Sequence, residues 1–172
     1  VLRLPPNGWR RRPARLEVLV AMTRLRENHA AGKNRALVTL PTGTGKTLIF
    51  AHLAKLYPDK KVLVLAHRKE LLEQSQKTFL EVDPSLNVQI EQGGRSADRR
   101  ANVVVASVPT LNGTNNRLER LPSDEFGSII VDECHHAPAP SYLHVLSHFG
   151  LVPDSVKPAS GRIGLEMETA II

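Results

Sequence analysis

Two short stretches hold the residue types needed to handle a phosphate anhydride. The first is Leu40-Pro41-Thr42-Gly43-Thr44-Gly45-Lys46-Thr47. Gly43 and Gly45 let the backbone curl so that successive N–H groups point at one anion. A helix starting there aims its positive end at the same anion. Lys46 can reach the outer phosphates, and the Thr47 hydroxyl can take a position on Mg²⁺. The general pattern G-x-x-x-x-G-K-[ST] has Leu40 in place of its first glycine here. The second stretch is Asp132-Glu133-Cys134-His135, beginning 86 residues after Lys46. Asp132 suits Mg²⁺, directly or through water, and Glu133 suits orienting or deprotonating an attacking water. His135 suits a hydrogen bond within the same site. A zinc reading of Cys134, His135 and His136 fails, because adjacent residues do not usually point at one ion and zinc sites draw on spaced pairs.

Those residues need elements to hold them. Ala36-Leu37-Val38-Thr39-Leu40 reads as a strand and residues 46–56 as a helix, the two flanks a phosphate-binding loop requires. A turn that merely happens to contain Gly-Lys-Thr would not need both. Ser128-Ile129-Ile130-Val131 is an unbroken apolar strand running directly into Asp132. Val62–Ala66 and Val103–Ala106 are further apolar strands, and Asn87–Glu91 is a short one. Helices are expected over 14–31, from Leu16, Leu19, Val20, Met22 and Leu25 at helical spacing, over 68–81, with Leu71, Leu72, Ser75 and Phe79 on one face, and over 141–149. Continuous apolar strands alternating with helices predict an α/β fold, a mostly parallel sheet with helices on both faces. Ligands of such a sheet lie beyond the C-terminal ends of its strands, so the acidic pair can face the phosphate loop. Residues 1–13 read as irregular, with three prolines and the run Arg10–Arg12, while 112–125 is a polar connection and 150–161 a loop.

The 172 residues fit one domain with a sizeable core. No apolar run approaches the roughly 20 residues needed to cross a bilayer, and no membrane partner is expected. The single cysteine, Cys134, excludes an internal disulfide framework and fits a reducing, intracellular compartment. The net charge of +6 is concentrated at the start, where residues 1–35 carry nine Lys/Arg against Glu17 and Glu27. Such an arm can hold phosphate backbones, form part of an Arg-rich mitochondrial targeting segment, or be a solvated basic arm. These three readings stay open, as do nuclear and cytoplasmic placements. The chain begins at Val1 and its first methionine is Met22, so it is expected to be processed or incomplete at its start.

Four motifs in order resemble the first RecA-like, ATP-binding domain of a superfamily 2 DEAD/DEAH-like helicase, over about residues 11 to 150. Pro41 to Thr47 is similar to motif I, Ala66-His67-Arg68-Lys69-Glu70-Leu71 to motif Ia, and Val105-Ala106-Ser107-Val108-Pro109-Thr110-Leu111 to motif Ib. Asp132-Glu133-Cys134-His135 is similar to the DEAD-like box in its D-E-C-H form. The set most resembles the group holding type III restriction-like ATPases and fungal mitochondrial DNA helicases. The resemblance implies a RecA-like P-loop fold, ATP and Mg²⁺ as cofactors, and ATP hydrolysis coupled to movement on a nucleic acid, DNA favoured over RNA. It implies that Thr42 to Thr47 bind nucleotide and that Lys46, Asp132 and Glu133 act in catalysis. It also implies nucleic-acid contacts from Arg68 and Thr110. A cation and a hydroxyl at neighbouring strand ends suit phosphate contacts, which read no sequence. For Arg68 the reading as a solvated residue at a helix start stays open.

The chain departs from the family in two places. Where the family often has Arg-Pro-Tyr-Gln, with the Gln reading adenine, the chain has Arg12-Pro13-Ala14-Arg15, so the resemblance does not carry ATP selectivity over. A Ser/Thr-Ala-Thr motif is expected after the D-E-C-H helix, but Gly161 to Thr169 does not contain it, although a strand can start at 162–165. The expected organisation is a basic arm at 1–13, the ATP-binding domain at 14–165, a divergent tail at 166–172 and no second RecA-like domain. Two functions follow. One is a piece of a nucleic-acid-dependent ATPase or helicase, binding MgATP and the nucleic-acid backbone but not unwinding alone. The other is a one-domain nucleotide-binding regulatory module with little or no hydrolysis. A small-molecule kinase would lack the D-E-C-H box.

Overall fold

Runs of valine, isoleucine and leucine with no polar break can be satisfied only by burial on both faces of a sheet, and that is what they form. The computed structural model describes residues 16–33, 35–38, 46–55, 59–133, 137, 139–152 and 169–171. The expected basic arm, Pro41 to Gly45, Cys134 to His136 and the strand start at 162–165 lie outside the described residues. In chain order the elements are α1 (Leu16–Ala30), β1 (Ala36–Leu37), α2 (Lys46–Ala54), β2 (Lys61–Ala66), α3 (Lys69–Val82), β3 (Val88–Glu91), β4 (Val103–Ser107), α4 (Val108–Leu111), β5 (Phe126–Asp132), α5 (Pro140–His148) and β6 (Thr169–Ile171). Two 3₁₀ turns, Leu118–Arg120 and Ser123–Glu125, structure the polar connection before β5.

The sheet order is β1-β6-β5-β2-β4-β3. Strands β5, β2, β4 and β3 are mutually parallel, with Val64 opposite Val105 and Ile130, and Ile90 opposite Val105. β6 runs antiparallel to both of its neighbours, β5 and β1. Thr169 to Ile171, placed in a divergent tail by the sequence, are thus a strand inside the sheet.

Side chains alternate between two cores. Val62, Val64, Val103, Val105 and Ile130 face a cluster with α1, α2 and α3, anchored by Val18, Phe50, Leu72 and Phe79. Leu63, Leu65, Val104, Ile129 and Val131 face a second cluster with α4 and α5, anchored by Leu111, Tyr142 and Val145. Each of these large apolar side chains contributes about 1.5–3 kcal/mol by leaving water. On α1 the buried positions are Val18 and Met22, four apart, while Val20 is 45 % exposed. The sequence reading grouped Val20 with the apolar face because spacing alone does not say which flank of a broad apolar stripe meets the sheet.

One irregularity sets the phase of β5. Lys61 lies opposite Phe126 but Val62 opposite Ser128, so Gly127 is an extra residue in β5. A Cβ at Gly127 would lie 2.6 Å from the Lys60 Cβ, and only glycine fits there. The bulge turns Phe126 onto the second cluster, the face that Ile129 and Val131 share. The same entry ends are fastened by the Lys61–Glu125 ion pair and by Lys60 Nζ donating to the Asp124 carbonyl at 2.9 Å.

Candidate functional site

Because β5, β2, β4 and β3 are parallel, the segments that follow them leave from one edge. At that edge β5 delivers Asp132 and Glu133, β2 delivers Arg68, and β4 delivers Thr110 on α4. Lys46 and Thr47, both half-buried, form the first turn of α2. The other predicted loop residues, Thr42, Gly43, Thr44 and Gly45, lie outside the described residues.

Asp132 and Glu133 are both half-buried. Glu133 has φ +52°, a left-handed conformation that costs a side-chain-bearing residue about 1–2 kcal/mol. This turn brings the Glu133 amide back onto Asp132, donating to Oδ1 at 3.0 Å. Burial, and secondarily the Glu133 charge, push the Asp132 carboxyl above the ordinary aspartate value, while the Glu133 amide and the Lys46 ammonium pull it down. Two facts follow. Lys46 and Asp132, far apart in sequence, are electrostatic neighbours. And burial is the first cause that raises Asp132, ahead of the charge of Glu133. A half-buried carboxylate, with the Thr47 hydroxyl next in sequence to its electrostatic neighbour Lys46, is a donor set that fits a hard divalent cation.

Tyr142 completes this neighbourhood. It is 1 % exposed on α5, and its hydroxyl is pushed up to about 12, first by burial and then by the charges of Glu133 and Asp132. The sequence reading placed α5 but singled out no residue on it. Nothing local marks Tyr142, since its proximity to the acids is set by how α5 folds back on β5.

At the second part of the edge Arg68 is exposed and is the N-cap residue of α3, extended at φ −104° and ψ 142°. Thr110 is half-buried, and its Oγ1 accepts the Gly93 amide at 3.4 Å. The structure therefore places both predicted residues on the predicted strand ends. It also shows two groups that the sequence reading missed, Glu91 and Arg117, ion-paired beside Thr110's partner loop.

The model of one family matches residues 15–157, and its description is type III restriction enzyme, res subunit. The chain belongs to this family. It is a helicase-family ATPase domain with the fold of a superfamily 2 RecA-like domain, as the four motifs implied. Among curated relatives, the Schizosaccharomyces pombe protein irc3, which carries the name of a mitochondrial ATP-dependent helicase, is 41% identical over 139 residues, covering 78% of this chain and 22% of its own. The Saccharomyces cerevisiae protein IRC3, named as an ATP-dependent helicase, is 38% identical over 128 residues, covering 69% of this chain and 18% of its own. The chain thus spans about a fifth of the length of these relatives. Among solved structures, the helicase domain of Pyrococcus furiosus Hef superposes with a TM-score of 0.65 at 28% identity, over 79% of this chain and 30% of that one. The UvsW helicase of bacteriophage T4 gives a TM-score of 0.64 at 24% identity, over 84% and 51%. Among the described residues no helix is long and apolar enough to cross a membrane.

Proposed function

We propose that this chain is the ATP-binding part of a nucleic-acid-dependent ATPase or helicase that takes MgATP and the backbone of DNA. The observation that carries the reading is that the Lys46 ammonium lies close enough to Asp132 to act on its charge, with Glu133 beside it at the C-terminal edge of a parallel sheet. A cation beside two carboxylates is what a phosphate anhydride with its metal ion needs on either side. The loop from Thr42 to Gly45 cradles the phosphates through its amides, and Lys46 balances the charge of the outer ones. Thr47 and Asp132 hold Mg²⁺, which when bound neutralises charge on the phosphate oxygens. Glu133 orients the attacking water and accepts its proton. Arg68 and Thr110 meet phosphates of the nucleic acid without reading its sequence.

The fungal relatives, one of them named as mitochondrial, support mitochondrial placement, and the phage T4 protein uvsW, named as an ATP-dependent DNA helicase and 29% identical over 121 residues, supports a DNA substrate. Efficient turnover calls for a second RecA-like domain in cis, because an arginine finger is worth about 10³–10⁵ in rate. This chain by itself is expected to bind MgATP, turn over slowly and not unwind.

Calorimetric titration of MgATP into the parent chain and Lys46→Ala tests the nucleotide site. Losing a charge-assisted contact to the phosphates should weaken binding by about 10–100-fold. Equal affinities would remove Lys46 from the site and the reading with it. Labelled DNA and RNA strands of one sequence test the substrate class, and tighter binding of RNA would overturn the choice of DNA.

A further inference from the structure

Among the described residues, the most deeply placed ion pair stands just behind the nucleic-acid edge. Glu91, the last residue of β3, is 2 % exposed, and its Oε1 accepts from Arg117 Nη1. The other oxygen, Oε2, accepts the Ala97 amide at 2.7 Å and the Ser96 hydroxyl at 3.3 Å. Arg117 reaches further. Nη1 also donates to the Arg95 carbonyl at 2.8 Å, and Nη2 donates to the Gly93 carbonyl. The loop between is closed on itself, Gln92 and Arg95 exchanging backbone hydrogen bonds at 3.1 and 2.8 Å. Gly93 has φ +53°, and its amide is the one that meets Thr110 Oγ1.

We infer that Arg117 is a positioning residue for the nucleic-acid edge. Held by Glu91, it fixes the turn at Gly93 against Thr110 and so sets the direction in which the Thr110 hydroxyl donates. The inference rests on the proposed contact between Thr110 and a phosphate. Its logic is one of proton direction. A hydroxyl that accepts the Gly93 N–H through its oxygen keeps its own hydrogen for another acceptor, and a phosphate oxygen is one. The loop amide thus makes Thr110 a donor with a chosen heading. Only a planar fork can grip the Glu91 carboxylate and two carbonyls of one loop together. A lysine ammonium keeps the charge but cannot span those three acceptors in one plane. The rest of the arrangement argues against a purely structural tie. A buried ion pair contributes little net stability compared with apolar packing, whereas Arg117 also donates to two carbonyls of a single exposed turn.

A double-mutant cycle tests it, using the anisotropy of a fluorescein-labelled single-stranded DNA of mixed sequence. Thr110→Val and Arg117→Lys are each expected to weaken DNA binding by about 10–100-fold, the worth of one hydrogen bond to a charged acceptor. The double variant should be no weaker than the poorer single one, because both remove the same contact. MgATP affinity should stay within about twofold of the parent throughout. If Thr110→Val binds DNA unchanged, the proposed contact itself is wrong and the inference goes with it. If Thr110→Val is weakened while Arg117→Lys is not, or if the two losses add, the contact stands and the positioning role is overturned. A parallel loss of MgATP affinity in Arg117→Lys would mean general damage and would also overturn it. Should Arg117→Lys fail to fold, Glu91→Gln, which keeps an acceptor but removes the charge, enters the same cycle with the same outcomes.

Discussion

Glu133 occupies a backbone conformation that suits glycine, yet it carries the side chain the proposed chemistry needs. Strain of this kind is retained where surrounding structure enforces it, and here it turns one amide onto the neighbouring carboxylate. Two substitutions separate the roles. Glu133→Gln should leave MgATP affinity near the parent value and lower single-turnover phosphate release by about 10²–10⁴-fold. Glu133→Gly should lose the same activity but relieve the left-handed strain of about 1 kcal/mol, raising the melting temperature by about 2–4 °C. A glycine variant that melts below the parent would show that the conformation carries no strain. The chemistry of this pair was legible in the sequence, because an apolar strand ending in two acids puts them at a known edge of a parallel sheet. The left-handed turn was not, since neither Glu133 nor its neighbours favour that conformation by type. The Glu91–Arg117 pair was hidden for a different reason: its partners lie 26 residues apart and meet only when β3 and the 3₁₀ turn after α4 are packed.

At the scale of elements, the strands were readable because burial on both faces leaves an unbroken apolar signature. The bulge at Gly127 was not, as one glycine at a strand start resembles any turn glycine until its partner strand supplies Lys60. Helix α2 raises a linkage that its sequence does not announce. His52 is 6 % exposed on this helix, and burial, with the charge of Lys55 adding, lowers its pKa from 6.5 to about 4. The unfolded chain therefore binds this proton more tightly than the folded one. Stability from His52 is fully present above about pH 6.5 and is lost as pH falls towards 4, by at most about 3 kcal/mol. Urea denaturation at pH 7 and pH 5 should show that decline in the parent and a smaller one in His52→Leu. Equal slopes in the two proteins would mean that His52 titrates normally in the fold.

For the whole molecule, the fold class and family were legible from four motifs in order, whereas the order of strands at one side of the sheet was not. Local pattern does not specify which strand fills a gap between two others. The proposed DNA edge brings a global expectation. Arg68→Ala should weaken DNA binding equally for unrelated sequences and reduce the slope of log K against log salt by about 1. A sequence-dependent loss would place Arg68 on base edges instead.

The placement of β6 has a further consequence. β1, which leads towards the phosphate loop, and β5, which ends in the acidic pair, point the same way but share no hydrogen bonds; among the described residues three residues of β6 bridge them. The two chemical halves of the site are therefore held at their spacing by a seam only one strand wide, stitched from the far end of the chain. Removing residues 166–172 should leave both apolar cores intact by near-UV circular dichroism, yet speed amide hydrogen exchange in Ala36 and Leu37 and weaken MgATP binding. Unchanged exchange there would mean that the loop and the acids keep their distance without the seam. Loss of affinity together with faster exchange would make the proposed nucleotide binding depend on how the sheet is closed as well as on the residues that touch the ligand.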